Sequence, residues 1–141
     1  MPVTKSNTMG LSSDQDIVLA RQAVRKITQE VGFSLVDQTK MVTAASELAR
    51  NALIYGGGGL LKLEIIRDEG RDGLRLTFSD EGPGIADLTL AMKDGWTSGK
   101  GLGMGLSGAK RLVNEFEIDS TPGAGTRVTI IRWKDQNRMP R

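Results

Sequence analysis

At 141 residues the chain is the size of one domain, and 38% hydrophobic with 26% charged residues marks it as globular. It contains neither His nor Cys, which excludes disulfides, thiolate nucleophiles, Cys/His zinc sites and any triad built on a His base. Proton transfer and metal binding therefore fall to carboxylates, amides, hydroxyls and Lys. The net charge is +2, and Arg132, Lys134, Arg138 and Arg141 against Asp135 put +3 in the last ten residues. The body is thus near neutral and, with aromatics at 4%, no nucleic-acid partner is expected.

Residues 1–10 (MPVTKSNTMG) are polar and aperiodic, and read as a flexible arm or at most a short edge strand near Thr8–Ser12. Ser12, Ser13 and Asp14 offer helix caps, Ile17, Ala20, Val24, Ile27 and Val31 follow at 3-4 spacing, and Gly32 is a natural stop. A second helix begins near Leu35 or Val36, buries Val42, Ala45, Ala49 and Ala52, and ends at the Gly56–Gly59 run. There the period changes to two. Leu61, Leu63 and Ile65 alternate with Lys62, Glu64 and Ile66, Asp68–Gly73 is a hairpin loop, and Leu74, Leu76 and Phe78 form the returning strand. A short helix is expected around Asp87–Met92, and a third long helix from Leu106, Ala109, Val113 and Phe116. Two last strands, near Glu117–Ser120 and Thr126–Trp133, flank a turn at Thr121–Gly125. The order predicts an α/β fold, a two-layer sandwich with helices on one face of a mixed sheet. No run approaches about 18 apolar residues and no leader-like segment opens the chain, so no membrane association and a cytoplasmic location are expected.

Three segments carry chemistry. Glu47, Arg50 and Asn51 stand at i, i+3 and i+4, so they share one helix face, where a carboxylate and a carboxamide can hold Mg²⁺ and activate a hydroxyl. A solvated polar face is the plainer alternative. Asp80-x-Gly82-x-Gly84 follows a strand directly; its carboxylate can accept from an exocyclic amine while the glycines admit a flat ring, and a tight turn explains it equally well. Gly99–Gly108 holds five glycines in ten residues and opens a helix, a ready cradle for phosphate. Neither GxGxxG after a strand nor GxxxxGK[ST] is present, so a Rossmann dinucleotide site is a poor fit and a P-loop is absent.

Together the three segments resemble, in order and spacing, the N, G1 and G2 boxes of the GHKL superfamily (gyrase, Hsp90, histidine kinase, MutL), whose ATP site is the Bergerat fold. The phrases DIVLARQ (Asp16–Gln22), SELARN (Ser46–Asn51), DEGPGI (Asp80–Ile85), GLGMGLSGAKRL (Gly101–Leu112) and GTRVTIIRW (Gly125–Trp133) are similar to its small bacterial serine/threonine kinases of the anti-sigma-factor group, in particular to the stressosome switch kinases. The resemblance implies a kinase domain over 11–134, with a basic tail at 135–141. It further implies ATP and Mg²⁺ as cofactors, and transfer of phosphate to a Ser or Thr of STAS-domain substrate and scaffold proteins. The kinase would then activate a downstream phosphatase or other output protein by binding.

Carried over residue by residue, Glu47 is the general base or orienting carboxylate and Asn51 ligates Mg²⁺. Asp80 reads the adenine amine, Gly82 and Gly84 floor the base pocket, and Thr126 supports Asp80. Gly101, Leu102, Gly103, Met104 and Gly105 wrap the phosphates, with Lys100 near the γ-phosphate. Arg50 is expected in a structural salt bridge, with a phosphate or partner contact as alternatives. The competing readings are an anti-sigma factor kinase that binds a sigma factor directly, and an ATP-binding adaptor without kinase activity. Homodimers and hetero-complexes both stay open.

Overall fold

The computed structural model describes residues 2–85, 92 and 105–134. Strand β1 (Val3–Leu11) leads into helices α1 (Asp14–Val31) and α2 (Leu35–Ile54), then strands β2 (Gly59–Asp68) and β3 (Arg71–Asp80). Helix α3 (Gly105–Arg111) and strands β4 (Glu115–Thr121) and β5 (Gly125–Trp133) complete the described elements. The sheet order is β1-β2-β3-β5-β4.

Helix α1 follows its sequence pattern closely. Ser13 caps it by accepting the Asp16 N–H, and the Asp16 carboxylate reaches back to the Ser12 N–H at 2.8 Å and hydroxyl at 3.0 Å. Those Ser12 bonds hold the Asp16 carboxyl below its ordinary value. The whole 3-4 stripe is buried. At the other end Gly32, in the left-handed region, and Phe33 both donate to Thr28 O, closing the helix and folding Phe33 into the core. Helix α2 starts at Ser34, which caps Asp37, and buries Met41, Val42, Ala44, Ala45, Leu48, Ala49 and Ala52. The small alanines let α1 and α2 approach closely over the sheet.

Three expectations are corrected. Residues 3–11 are not a loose arm but an edge strand, paired from Leu11↔Gly59 to Val3↔Ile66. Its polar side chains hid it: most of β1 is exposed, and backbone pairing with β2 rather than an apolar face holds it. The sheet is not mixed, since every pairing among the described residues is antiparallel. The third helix stops at Arg111, short of Val113 and Phe116. Phe116 instead sits opposite Ile130 in β4 and packs on the core, so strand pairing overrides a helical spacing. The short helix expected at 87–92 lies, but for Met92, outside the described residues, as does the tail at 135–141.

The expected hairpin loop is tighter than its composition suggests. Only Glu69 and Gly70 separate β2 from β3, both at positive φ (53° and 79°), the geometry of a two-residue turn whose twist suits the flanking strands.

One side of the sheet carries the main core beneath the helices, including Leu61, Leu63, Leu76, Phe78, Val128 and Ile130. The break in alternation at Ile66 has its reason on the other side. Ile66 joins Ile131 and Trp133 in a second, smaller cluster, where Arg71 lies over the indole at 4.1 Å and the indole N–H donates to Glu115 at 2.8 Å. Among the described residues no helix is long and apolar enough to cross a membrane.

Candidate active site

Side chains two apart in a strand share a face. Asp80 therefore projects on the helix side with buried Phe78, Thr126 with Val128 and Ser120 with Ile118, and in register Asp80 pairs with Thr126 and Thr126 with Ser120. This polar row forms one wall of the site where the apolar rows end.

Asp80 is fixed by its own loop: Oδ1 accepts the Gly82 N–H at 2.9 Å, and no described residue donates to Oδ2, which suits it to an outside donor. The space beside it exists because two residues lack side chains. A Cβ on Gly56 would collide with the Asp80 carboxyl group, and one on Gly82 would collide with the Gly56 backbone. The loop after Asp80 is fastened to the β4–β5 turn, with Gly123 N–H donating to Pro83 O at 2.6 Å and Gly84 packed against Thr121 O. Ser120, which the sequence reading missed, is the knot of this wall. Its hydroxyl accepts the Ile85 N–H at 2.7 Å, lies 2.7 Å from Thr126 Oγ1 and donates to Gly125 O at 3.2 Å. A serine in a strand of alternating polar residues gives no sequence signal for that role. Gly56 stood within the glycine run, but only the fold shows which carboxylate it must clear.

The second wall is α2. Glu47 is 6% exposed despite its charge; Oε2 accepts the Gly105 N–H at 3.3 Å and Oε1 lies 3.8 Å from Arg50 Nη1. Asn51 is half-buried one turn on, and among the described residues its carboxamide has no hydrogen-bond partner. Burying a carboxylate with only these partners among the described residues is costly unless the position serves chemistry. Gly105 opens α3, which packs on α2, so Glu47 also ties α2 to the end of the glycine-rich segment. Lys100, Gly101, Leu102, Gly103 and Met104 lie outside the described residues.

The donor set fits an adenine nucleotide with Mg²⁺. A carboxylate with one oxygen already committed suits an exocyclic amine, the Gly56–Gly82 contact leaves a side-chain-free surface for a flat base, and the Asn51 amide oxygen, which no described residue engages, is a hard ligand. A cleft of about 720 Å³ opens at this wall, lined by Gly56, Asp80 and Thr126 and continuing onto Leu60, Ser79 and Arg127 of the far sheet face. Neither Glu47 nor Asn51 lines it, so it belongs to the Asp80 side of the site and not to the Glu47 side.

Comparison with known proteins shows the family and the fold. The family model described as histidine kinase-, DNA gyrase B- and HSP90-like ATPase matches residues 36–137. The serine/threonine-protein kinase RsbT of Bacillus subtilis is 45% identical over 123 residues, covering 87% of this chain and 92% of its own length. An anti-sigma F factor of Caldanaerobacter subterraneus is 29% identical over 132 residues, covering 91% of this chain and 92% of its own. In fold, the crystal structure of the RsbU and RsbW domains of a Mycobacterium tuberculosis protein superposes with a TM-score of 0.65 at 21% identity, over 98% of this chain and 35% of the other. With that model over most of its length and a relative 45% identical, the chain belongs to the histidine kinase-, DNA gyrase B- and HSP90-like ATPase family and, within it, to the group of the serine/threonine-protein kinase RsbT.

Proposed function

We propose that the protein transfers the γ-phosphate of ATP to a Ser or Thr of a STAS-domain partner in the cytoplasm, and that this transfer switches its binding between partners, one of them a downstream phosphatase or other output protein. The carrying observation is Glu47, a carboxylate buried on the ridge that also presents Asn51. Nucleotide binding alone has little use for it. Asp80 selects the adenine amine, with Gly82 and Gly84 holding the loop and Ser120 and Thr126 bracing the wall. Asn51 would hold Mg²⁺, which supplies charge neutralisation at the phosphates when bound. Residues 101–105 would wrap the phosphates, with Lys100 near the γ-phosphate. Glu47 orients the partner hydroxyl and accepts its proton. Phosphoryl transfer is mostly positioning and charge stabilisation, so this small set suffices without a His.

The test is transfer of labelled phosphate from ATP–Mg²⁺ into proteins of the host lysate, wild type beside Glu47→Ala. One small labelled protein, lost with Glu47→Ala while ATP binding persists, is expected. ATP binding with no transfer by the wild type would leave an adaptor, not a kinase. Similarity to anti-sigma F factors supports a second reading, in which the chain also inhibits a sigma factor by direct binding. Stoichiometric capture of a sigma factor in a pull-down would put that reading first.

A further inference from the structure

Arg50 has a charge that the roles above leave unused. It stands three residues after Glu47 and one before Asn51, at the rim of the site, with its side chain 37% exposed. Nη1 is 3.8 Å from Glu47 Oε1, close enough for attraction but too long for a hydrogen bond. Among the described residues this is the one ion pair of Glu47, and it leaves the guanidinium donors without a hydrogen bond to another described residue. A long, half-exposed i,i+3 pair contributes little to stability. The group it leans on, Glu47, is a buried carboxylate.

That arrangement is unfavourable for the group the site is read as handling. A phosphoryl group in transfer spreads negative charge over its equatorial oxygens, which the Glu47 carboxylate beside it would repel. A planar guanidinium resting loosely on the base is suited to meet it, because its fork matches paired oxygens and its present contact is weak. We propose that Arg50 is a catalytic residue that exchanges its contact with Glu47 for the oxygens of the transferred phosphoryl group, an inference that rests on the kinase reading above. In that step the partner hydroxyl oxygen bonds to the γ-phosphorus, and the bond from phosphorus to the β,γ-bridging oxygen breaks. ADP leaves with the electron pair and the hydroxyl proton passes to Glu47. The same movement uncovers Oε1, the oxygen Arg50 now shadows, for that proton.

A merely structural Arg50 would orient Glu47 and never touch phosphate, and binding distinguishes the two. ADP alone and ADP with aluminium fluoride, a mimic of the phosphoryl group in transfer, are titrated into wild type, Arg50→Gln and Arg50→Lys, beside single-turnover transfer. The expected result is that Arg50→Gln binds ADP as wild type does but binds ADP with aluminium fluoride about tenfold more weakly. Its transfer should fall about 100-fold, and Arg50→Lys should recover part of both losses. Equal affinity of wild type and Arg50→Gln for the mimic overturns the proposal, even if transfer falls. Unimpaired transfer by Arg50→Gln overturns it as well. A wild type that binds ADP yet transfers no phosphate and gains nothing from aluminium fluoride overturns the kinase reading beneath it, a failure recognisable because the wild type shows it.

Discussion

Gly56 occupies a place where one methyl group decides whether the space beside the Asp80 carboxylate exists. A Cβ there would meet the Asp80 carboxyl group, and Gly82 presses on Gly56 from the other side, so neither neighbour can retreat without breaking the Gly82 N–H bond to Asp80. Gly56→Ala is expected to fold but to bind ATP at least about tenfold more weakly, since a buried recognition hydrogen bond is worth roughly 1.5–3 kcal/mol when one partner is charged. Calorimetric titration with ATP–Mg²⁺ measures it, and unchanged affinity would show that Asp80 does not read the base. Glu47 and Arg50 are tested at this same scale, through label transfer and the phosphoryl mimic.

Between elements, β2 and β3 are joined by an ion pair as well as by their ladder. Glu64 is 5% exposed, and Arg75, its cross-strand partner, donates to it at 2.8 Å, with Lys62 at 3.5 Å. The hydrogen bond from Arg75 holds the Glu64 carboxyl below its ordinary value of 4.5. A carboxyl depressed in the folded state stabilises the fold above its unfolded value, and that contribution is lost as the pH falls through the folded value. Glu64→Gln should therefore be less stable than wild type near neutral pH, and the gap should narrow as the pH drops below 4.5; urea unfolding across that range checks it. A gap independent of pH would assign the loss to packing instead. At this scale the sequence was most legible where burial has a period. The α1 stripe is read off residue by residue, whereas β1 is not, because an edge strand held by backbone bonds leaves no apolar signature. Phe116 misled for the opposite reason: an apolar residue at helical spacing is equally at home in a strand. The site divided in the same way. Glu47, Asn51 and Asp80 belong to contiguous motifs, while Ser120 acts only across strands.

Across the whole molecule the site draws on α2, the end of β3, the start of α3 and the β4–β5 hairpin, so nucleotide binding should stabilise the entire domain rather than one loop. ATP–Mg²⁺ at a hundred times its Kd should add about 2.7 kcal/mol to the unfolding free energy, seen as a higher Tm, while NADH at equal concentration leaves Tm unchanged. A rise with NADH would return the dinucleotide reading to contention. The strand order β1-β2-β3-β5-β4 has a consequence for synthesis. β4 leaves the ribosome before β5 yet lies outside it in the sheet, so it has no partner until β5 has docked on β3. Thr126 and the braced end of the Asp80 loop arrive with that same docking. A nascent chain can thus assemble its helices and first hairpin early, whereas the polar wall beside Asp80 is complete only when the last strand is in place, so the candidate site is among the last parts of the domain to form.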